Sequence, residues 1–417
     1  MKNTTTSNNR EVNYFSFLWH AFWLSLANSF ADRNTVLPGL IIFVGGTQSE
    51  VGILTAITVG VPIAAQLIFA GYLSQKKIKK PFLLFGIYLR VLTLAGIAIT
   101  LLEVKTLDPL VIILFVFFWM FIFSISGAFA GVSYTDILGK SIEGELRKKF
   151  FVVRQILSSI GILISAFIVR TLLTMFSYPQ NYILMFFTAA VLLFVASFGF
   201  VSIKERPTNK LLDSKNLLEI LKSIPSIMKT DKNLRYFIII INMISFSLTL
   251  IPFYVGLAKE QFGLTKALVG NYLLIQMIGM LISNTLWSKI VKKYSFKGIL
   301  KSSIFIQAAL PLFAVILAFN FSSEIFGIVF LISGFGLSAQ KITNGILLEI
   351  SNETNRALYT GINGAFSFTI MFFPLFSGIL ITLFGYIPIF VFASFVALSS
   401  LYYLPRLNCL KNSFVQI

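Results

Sequence analysis

The sequence predicts an all-α polytopic membrane protein of about twelve transmembrane helices, arranged as two bundles of six. Of its 417 residues, 57% are hydrophobic and 12% are charged, which is about half the charged fraction of a soluble globular domain. Apolar runs of about twenty residues, the length that crosses a hydrocarbon core of ~30 Å, recur along the whole chain. A polar stretch at mid-chain separates six runs from six. This composition excludes a soluble domain with a large core.

The twelve apolar runs define the predicted spans. The first run is interpreted as a retained span, because it is too long for a signal-peptide core and lacks a small-residue cleavage pattern. In residue numbers the spans are 15–43, 51–73, 82–102, 110–132, 151–176, 182–201, 237–256, 268–286, 299–318, 325–348, 362–384 and 387–403.

The loops between the spans predict the orientation of the chain. Lysines and arginines concentrate in alternate loops, and positively charged loops stay on the cytoplasmic side. Both termini are therefore expected in the cytoplasm, with the chain in a bacterial inner membrane. The formal net charge of +18 is interpreted as topology and attraction to anionic lipid headgroups, not as nucleic-acid binding. The basic residues that carry the asymmetry are Lys76, Lys77, Lys79, Lys80, Arg147, Lys148, Lys149, Lys289, Lys292, Lys293 and Lys297.

The polar stretch 204–235 is the predicted domain boundary. It separates an N-terminal bundle, residues 1–203, from a C-terminal bundle, residues 236–417. Apolar residues recur within it at helical spacing, which predicts a short amphipathic helix on the inner membrane face that Pro225 kinks or ends. These residues are Leu217, Leu218, Leu221, Ile224, Ile227 and Met228.

Two sequence patterns recur half a chain apart. The segment L-S-Q-K-K-I-K-K at 73–80 shares its Leu and three Lys, in register, with L-W-S-K-I-V-K-K at 286–293. Ile137-Leu138 precede Arg147 by the same spacing as Ile346-Leu347 precede Arg356. Matching positions in a layout of six plus six spans favour an internal duplication.

The first of these loops carries a family resemblance. Gly71-Tyr72-Leu73-Ser74 and the basic residues after it resemble the loop between helices two and three of the major facilitator superfamily, roughly G-x-L-x-D-R-x-G-R-R/K. Gln75 stands where the family has Asp, and Ile78 where it has the second Gly. The resemblance implies two helix bundles around a central cavity that opens alternately to either side.

Carboxylates near the basic loops are candidates for closing an inner gate. Asp136 and Glu349 fall at the cytoplasmic ends of spans four and ten, where an ion pair with the basic loops would hold an outward-facing state; a solvated helix-end charge is the alternative. The candidate gate residues are Gly71, Lys76, Lys79, Lys80, Asp136, Arg147, Lys289, Glu349 and Arg356.

Ionisable residues inside spans mark the candidate substrate or coupling site, because a charge at the bilayer centre costs at least ~2.5–3.5 kcal/mol. Asp32 shares a helical stripe of span one with Ser25, Asn28 and Ser29, and Pro38 beyond it favours a break there. Its candidate partners are Arg33, Arg90 and Lys341, and a permanently paired structural bridge is the alternative to a coupling role. The remaining candidates are Gln340, Asn344, Asn242 and Gln276, for which interhelical hydrogen bonding is the alternative.

A metal site is not expected. The only histidine, His20, lies in an aromatic patch and is interpreted as part of an interfacial belt, and the only cysteine lies in the polar tail. No phosphate-cradling G-x-x-x-x-G-K-S/T motif is present. No cofactor is therefore predicted.

These features predict a secondary active transporter and not an enzyme. The expected partners are a small polar or anionic solute, protons and the lipid bilayer, with the chain acting as a monomer. Three alternatives remain: an efflux protein for amphipathic compounds, an integral membrane enzyme, and a sensor of the same fold that does not transport. Sodium coupling is also open, because Asn28, Ser29 and Asp32 could offer oxygen ligands.

Overall fold

The computed structural model describes residues 2–142, 144–207, 217–263, 265–351 and 356–408. Within these ranges the chain forms α-helices with short 3₁₀ and π segments and no β-strand, which confirms the predicted all-α fold. In chain order the helices are α1 (Lys2–Phe30), α2 (Val36–Val44), α3 (Gln48–Thr55), α4 (Val61–Ser74), α5 (Lys80–Leu102), α6 (Pro109–Ser141), α7 (Gly144–Met175), α8 (Gln180–Ser202), α9 (Leu217–Thr230), α10 (Lys232–Leu248), α11 (Phe253–Phe262), α12 (Lys266–Asn320), α13 (Ser323–Ile350), α14 (Arg356–Ala365), α15 (Phe368–Phe384) and α16 (Tyr386–Ser399).

Ten helical stretches of the described residues are long and apolar enough to cross a membrane. One of them, α12, has 55 residues and bends where Ser295 takes a left-handed φ of 57°. At 1.5 Å per residue its length is about 80 Å, enough for two crossings. The first predicted span is divided between α1 and α2 by residues 31–35. With α12 counted twice and this divided span included, the layout has the twelve predicted spans.

Large apolar side chains cover the outside of the helices. Phe85, Phe167 and Phe395 are 62%, 58% and 69% exposed. An apolar surface of this kind would associate in water, whereas lipid chains are its natural solvent. The exposed aromatic residues therefore belong to a polytopic membrane protein.

The chain divides into two compact units. Unit 1 comprises residues 1–46 and 57–214, and unit 2 comprises residues 47–56 and 215–417. The division at 214 lies inside the polar stretch 204–235. The short segment 47–56 groups with unit 2, and a π-helical turn, Ala56–Gly60, lies where the chain returns to unit 1.

Segment 47–56 belongs to unit 2 because α3 packs closely on α15. A Cβ atom at Gly52 would overlap the carbonyl oxygen of Pro374 and lie 3.2 Å from Cα of Gly378. The hydroxyl oxygens of Ser49 and Thr382 are 3.2 Å apart and share a hydrogen bond. Glycines let the two backbones approach, as small residues do between membrane helices.

The mid-chain stretch contains α9, at the position where helical spacing predicts a helix. Pro225 lies inside this helix and does not end it. Ile224 is 3% exposed and packs with Leu234 and Phe237 of α10. The apolar face of α9 is thus at least partly covered by unit 2. The side chains of Leu217, Leu218 and Leu221 lie outside the described residues.

Candidate functional site

The break in the first span is held by Asp32. Its Oδ1 accepts hydrogen bonds from the backbone N–H groups of Asn34 and Thr35 and from the hydroxyl of Thr35, each at 2.9 Å. The carboxylate thus satisfies N–H groups that the break leaves without helical partners. The sequence predicted the break at Pro38. The break lies a few residues earlier, and Pro38 itself is inside α2.

The predicted polar stripe of span one faces two directions. Ser25 and Ser29 are buried, and the hydroxyl of Ser165 on α7 donates to Oγ of Ser29 at 2.6 Å. Asn28 and Arg33, in contrast, are exposed. The serines therefore serve helix packing, and Asn28, Asp32 and Arg33 form the accessible side of this segment.

Arg90 lies near the middle of α5 with its guanidinium over the ring of Phe123, 4.1 Å from the centroid. A Cβ at Gly127 would lie 3.5 Å from Nε, so a small residue makes room for the side chain. Nε is buried and has no hydrogen-bond partner among the described residues. Arg90 takes part in none of the ion pairs of the described residues.

Arg154 is a second intramembrane cation, and sequence reasoning missed it. Its guanidinium lies over the ring of Tyr134 at 5.6 Å, and in the described part of the chain it forms no ion pair. Its signal was available, since it is an arginine inside the predicted span 151–176.

His20 lies within the electrostatic influence of both Arg90 and Arg154. The ring is 5% exposed, with its centroid 4.1 Å from that of Phe200. Its Nδ1 lies 3.1 Å from the carbonyl oxygen of Ala196. The expectation of an interfacial belt was wrong for this residue, because α8 covers the ring. Arg90 and Arg154, which both act on the buried ring of His20, define a cation cluster in unit 1.

Asn242 bridges a second helix break, in unit 2. Its Nδ2 donates to the carbonyl of Phe366 at 2.7 Å and to that of Ile238 at 3.0 Å. Its Oδ1 accepts from the N–H of Thr369 at 3.2 Å. Since Phe366 lies between α14 and α15, the amide of Asn242 satisfies backbone groups that this interruption exposes.

The other candidates of unit 2 differ in exposure. Gln276 is fully buried; its Nε2 donates to Ser333 at 2.9 Å, joining α12 to α13, and its Oε1 has no partner among the described residues. Gln340 is half-buried and Lys341 is exposed. The side chain of Asn344 lies outside the described residues.

A network of charges closes one end of unit 1. Lys79 is 6% exposed, and its Nζ lies 2.6 Å from Oδ1 of Asp136. Lys140 pairs with the same carboxylate and, at 3.3 Å, with Glu205. Glu205 also accepts from the backbone N–H groups of Lys79 at 2.9 Å and Lys80 at 2.7 Å. The sequence pointed to Lys79, Lys80 and Asp136 but not to Lys140 or Glu205.

The remaining gate candidates make local contacts. Lys76 lies over the ring of Tyr72 at 4.6 Å. Arg147 donates to the carbonyls of Ile142 and Gly139, at 2.8 and 3.0 Å, and so covers the end of α6. Gly71 and Lys289 are exposed and Glu349 is half-buried, whereas the side chain of Arg356 lies outside the described residues. A gating role for this set stays a prediction.

Comparison with known proteins identifies the family. The family model described as Major Facilitator Superfamily matches residues 22–348 and 236–408. The sequence shows no significant match to a curated protein.

Solved transporter structures share the fold over nearly the whole chain. The xylose transporter XylE from E. coli, in an inward-open conformation, is similar with a TM-score of 0.70 and 13% identity, over 96% of this chain and 98% of that one. A POT family transporter in complex with a thioalcohol-conjugated peptide is similar with a TM-score of 0.70 and 14% identity, over 96% of this chain and 97% of that one. A single-residue mutant of the nucleoside transporter NupG is similar with a TM-score of 0.66 and 14% identity, over 96% of this chain and 99% of that one.

Proposed function

Because the chain belongs to the major facilitator superfamily, we propose that it is a secondary active transporter that moves a small anionic solute by alternating access, coupled to protons. Both termini lie in the cytoplasm in this proposal. The observation that carries the solute class is the cation cluster of unit 1. Its two arginines contact aromatic rings and, among the described residues, no carboxylate.

The cost of an unpaired arginine supports an anionic solute. A guanidinium within the membrane is stable only when it has a partner, and a buried N–H without an acceptor costs ~1–3 kcal/mol. Arg90 has such a group at Nε. A carboxylate or phosphate of the solute would supply the missing acceptor and match the planar fork of the guanidinium.

Proton coupling is assigned to Asp32. All three hydrogen bonds to its Oδ1 favour the ionised carboxylate, since an anion accepts more strongly than a neutral acid. Protonation would weaken these bonds and loosen the break between α1 and α2. A proton could in this way bias the conformation of span one.

The solute class is tested by thermal unfolding of the purified protein with a panel of ligands. The panel pairs anions (dicarboxylates, sugar phosphates, nucleoside monophosphates) with neutral xylose, uridine and a dipeptide. A ligand present at one hundred times its dissociation constant stabilises by ~2.7 kcal/mol, a rise of roughly 2–4 °C in unfolding temperature. We expect an anion to give this rise, Arg90→Gln to abolish it and Arg90→Lys to keep part of it.

The matched control is Arg206→Gln, which removes an exposed arginine and should leave the response intact. Stabilisation by neutral ligands alone, or an anion response that survives Arg90→Gln, would overturn the anionic assignment. Arg154→Gln then tells whether the second arginine also contributes.

Proton coupling is tested with Asp32→Asn in proteoliposomes. Asparagine retains an Oδ1 acceptor, so it keeps the break but cannot release a proton at neutral pH. We expect accumulation driven by a pH gradient to be lost while solute exchange without a gradient continues. Gradient-driven accumulation in the variant would refute coupling through Asp32, and dependence on sodium would replace protons with that ion.

A further inference from the structure

A polar groove of about 550 Å³ lies at one end of unit 2, whereas the cation cluster belongs to unit 1. The groove is formed where α9 leads into α10, beside α14 and the 3₁₀ segment Leu404–Arg406. Its lining includes Lys232, Asn233, Tyr236, Tyr359, Arg406 and Asn408.

The one carboxylate of the groove is already bonded within the protein. Asp231 caps α10 by accepting the N–H of Leu234 at 2.9 Å through Oδ1. Its Oδ2 accepts the hydroxyl of Tyr359. Since both oxygens are engaged, Asp231 holds the groove together and is not the group that would attract a cation.

The donors of the groove, by contrast, lack acceptors. Among the described residues, neither the ammonium group of Lys232 nor the hydroxyl of Tyr236 makes a hydrogen bond or ion pair, and Asn233 uses only its Oδ1, which accepts from the N–H of Asn408 at 3.0 Å. Arg406 donates one N–H to the carbonyl of Tyr402 at 2.5 Å. Its other N–H groups remain available. A ligand with several acceptor oxygens and a negative charge fits this set.

The groove lies at the ends of two candidate spans. Lys232 begins one of them and Arg406 ends the other, and a membrane surface is expected where spans end. Arg406 stacks on Tyr402, 3.7 Å from the ring centroid, and Tyr402 is 64% exposed. Tyrosines beside basic residues at this depth are typical of contacts with lipid headgroups.

We infer that this groove binds the phosphate of an anionic phospholipid headgroup. The lipid phosphate would accept from Lys232, Asn233 and Arg406, while its acyl chains lie along the exposed apolar side of the spans. A bound headgroup would join the start of α10 to the end of the last span through one ligand. This inference is independent of the transported solute.

Native mass spectrometry of the purified full chain tests the inference. The probes are phosphatidylglycerol, phosphatidylcholine and inorganic phosphate, each added at the same concentration. We expect one phosphatidylglycerol to be retained in preference to phosphatidylcholine. The double variant Lys232→Gln with Arg406→Gln removes two cations near the anionic headgroup. It should weaken the retention of phosphatidylglycerol on the order of tenfold.

The control double variant, Lys229→Gln with Lys301→Gln, removes the same charge from exposed positions outside the groove. It should retain phosphatidylglycerol as the wild type does. Equal retention by the groove variant, equal loss in the control variant, or lack of preference over phosphatidylcholine would each overturn the inference. Displacement of the lipid by an equal concentration of inorganic phosphate would assign the groove to free phosphate instead.

Discussion

Lys79 in unit 1 and Lys292 in unit 2 occupy matching positions of the repeated basic pattern, yet their surroundings differ. Lys79 is 6% exposed and ion-paired with Asp136. Lys292 is exposed on α12, and the ion pairs of the described residues do not include it. The same lysine in the same pattern is a network member in one unit and a solvated charge in the other.

The difference follows from the residue opposite the lysine. In the second of the two recurring patterns, Asp136 directly precedes Ile137 in unit 1, and Gly345 directly precedes the matching Ile346 in unit 2. A Cβ at Gly345 would lie 2.6 Å from Cζ of Phe296 and closer still to Cε1, so an aromatic ring occupies the place of the carboxylate. At this position unit 1 places a charge and unit 2 an aromatic ring. The contacts of the shared lysines therefore depend on the residues around them.

The largest effect is expected for Asp136→Asn. The change leaves the buried Lys79 beside a neutral amide, and breaking a buried ion pair costs ~3–5 kcal/mol. Because the side chain of Asp136 is 28% exposed, we expect a loss of about 2–3 kcal/mol. Thermal unfolding in detergent measures it as a lower unfolding temperature.

Lys292→Gln is the matched control in unit 2. An exposed lysine without an ion pair should change stability by no more than ~0.5 kcal/mol. If this variant were destabilised as much as Asp136→Asn, the asymmetry between the two basic segments would be wrong.

Changes of glycine to alanine are expected to have smaller effects on stability, which is lowered in unit 2 and raised in unit 1. At Gly345 the new methyl group meets the ring of Phe296, and overpacking costs ~1–3 kcal/mol. At Gly131, on α6 of unit 1, a Cβ has no neighbour within 4 Å, so the gain in helix propensity, about 0.8–1.0 kcal/mol at most, should stabilise.

Adding Phe296→Leu to Gly345→Ala should restore part of the lost stability, because a shorter side chain relieves the overlap. Destabilisation by Gly131→Ala, or none by Gly345→Ala, would show that the two ends are not packed as described.

The all-α layout was predictable because each span carries its own signal, an apolar run long enough to cross the bilayer. Individual contacts were not, since a single charge in a loop or span does not reveal its partner. Glu205 and Lys140 join the network only because the segment after α8 returns beside the start of α5. Arg154 could be recognised as an arginine inside a predicted span, whereas its contact with Tyr134 on another helix could not.

Asn242 shows a further limit of prediction. The sequence marked it as a candidate of the substrate or coupling site, with interhelical hydrogen bonding as the alternative, and its amide bonds to the backbone around Phe366. The need for that bond arises from the interruption between α14 and α15, where Gly364 lies two residues before Phe366. That Asn242 of α10 lies beside this interruption becomes visible only with the tertiary structure.

The last change concerns the carboxylate that unit 2 does use at this end. Tyr359 donates to Asp231, and burial together with this hydrogen bond raises the pKa of Tyr359 to about 12. Tyr359→Phe removes a hydrogen bond to a charged acceptor, so we expect a loss of about 1–2 kcal/mol at pH 7. Thermal unfolding across pH adds a second readout.

The raised pKa fixes the sign of the pH dependence. Below pH ~10 the hydroxyl is protonated in both states and its contribution is complete; between ~10 and 12 the unfolded tyrosine ionises while the folded one keeps its proton, so stability falls as pH rises. Tyr359→Phe should therefore be less sensitive to pH than the wild type in this window. Equal slopes in the two proteins would mean that the tyrosine–aspartate bond does not stabilise this end of unit 2.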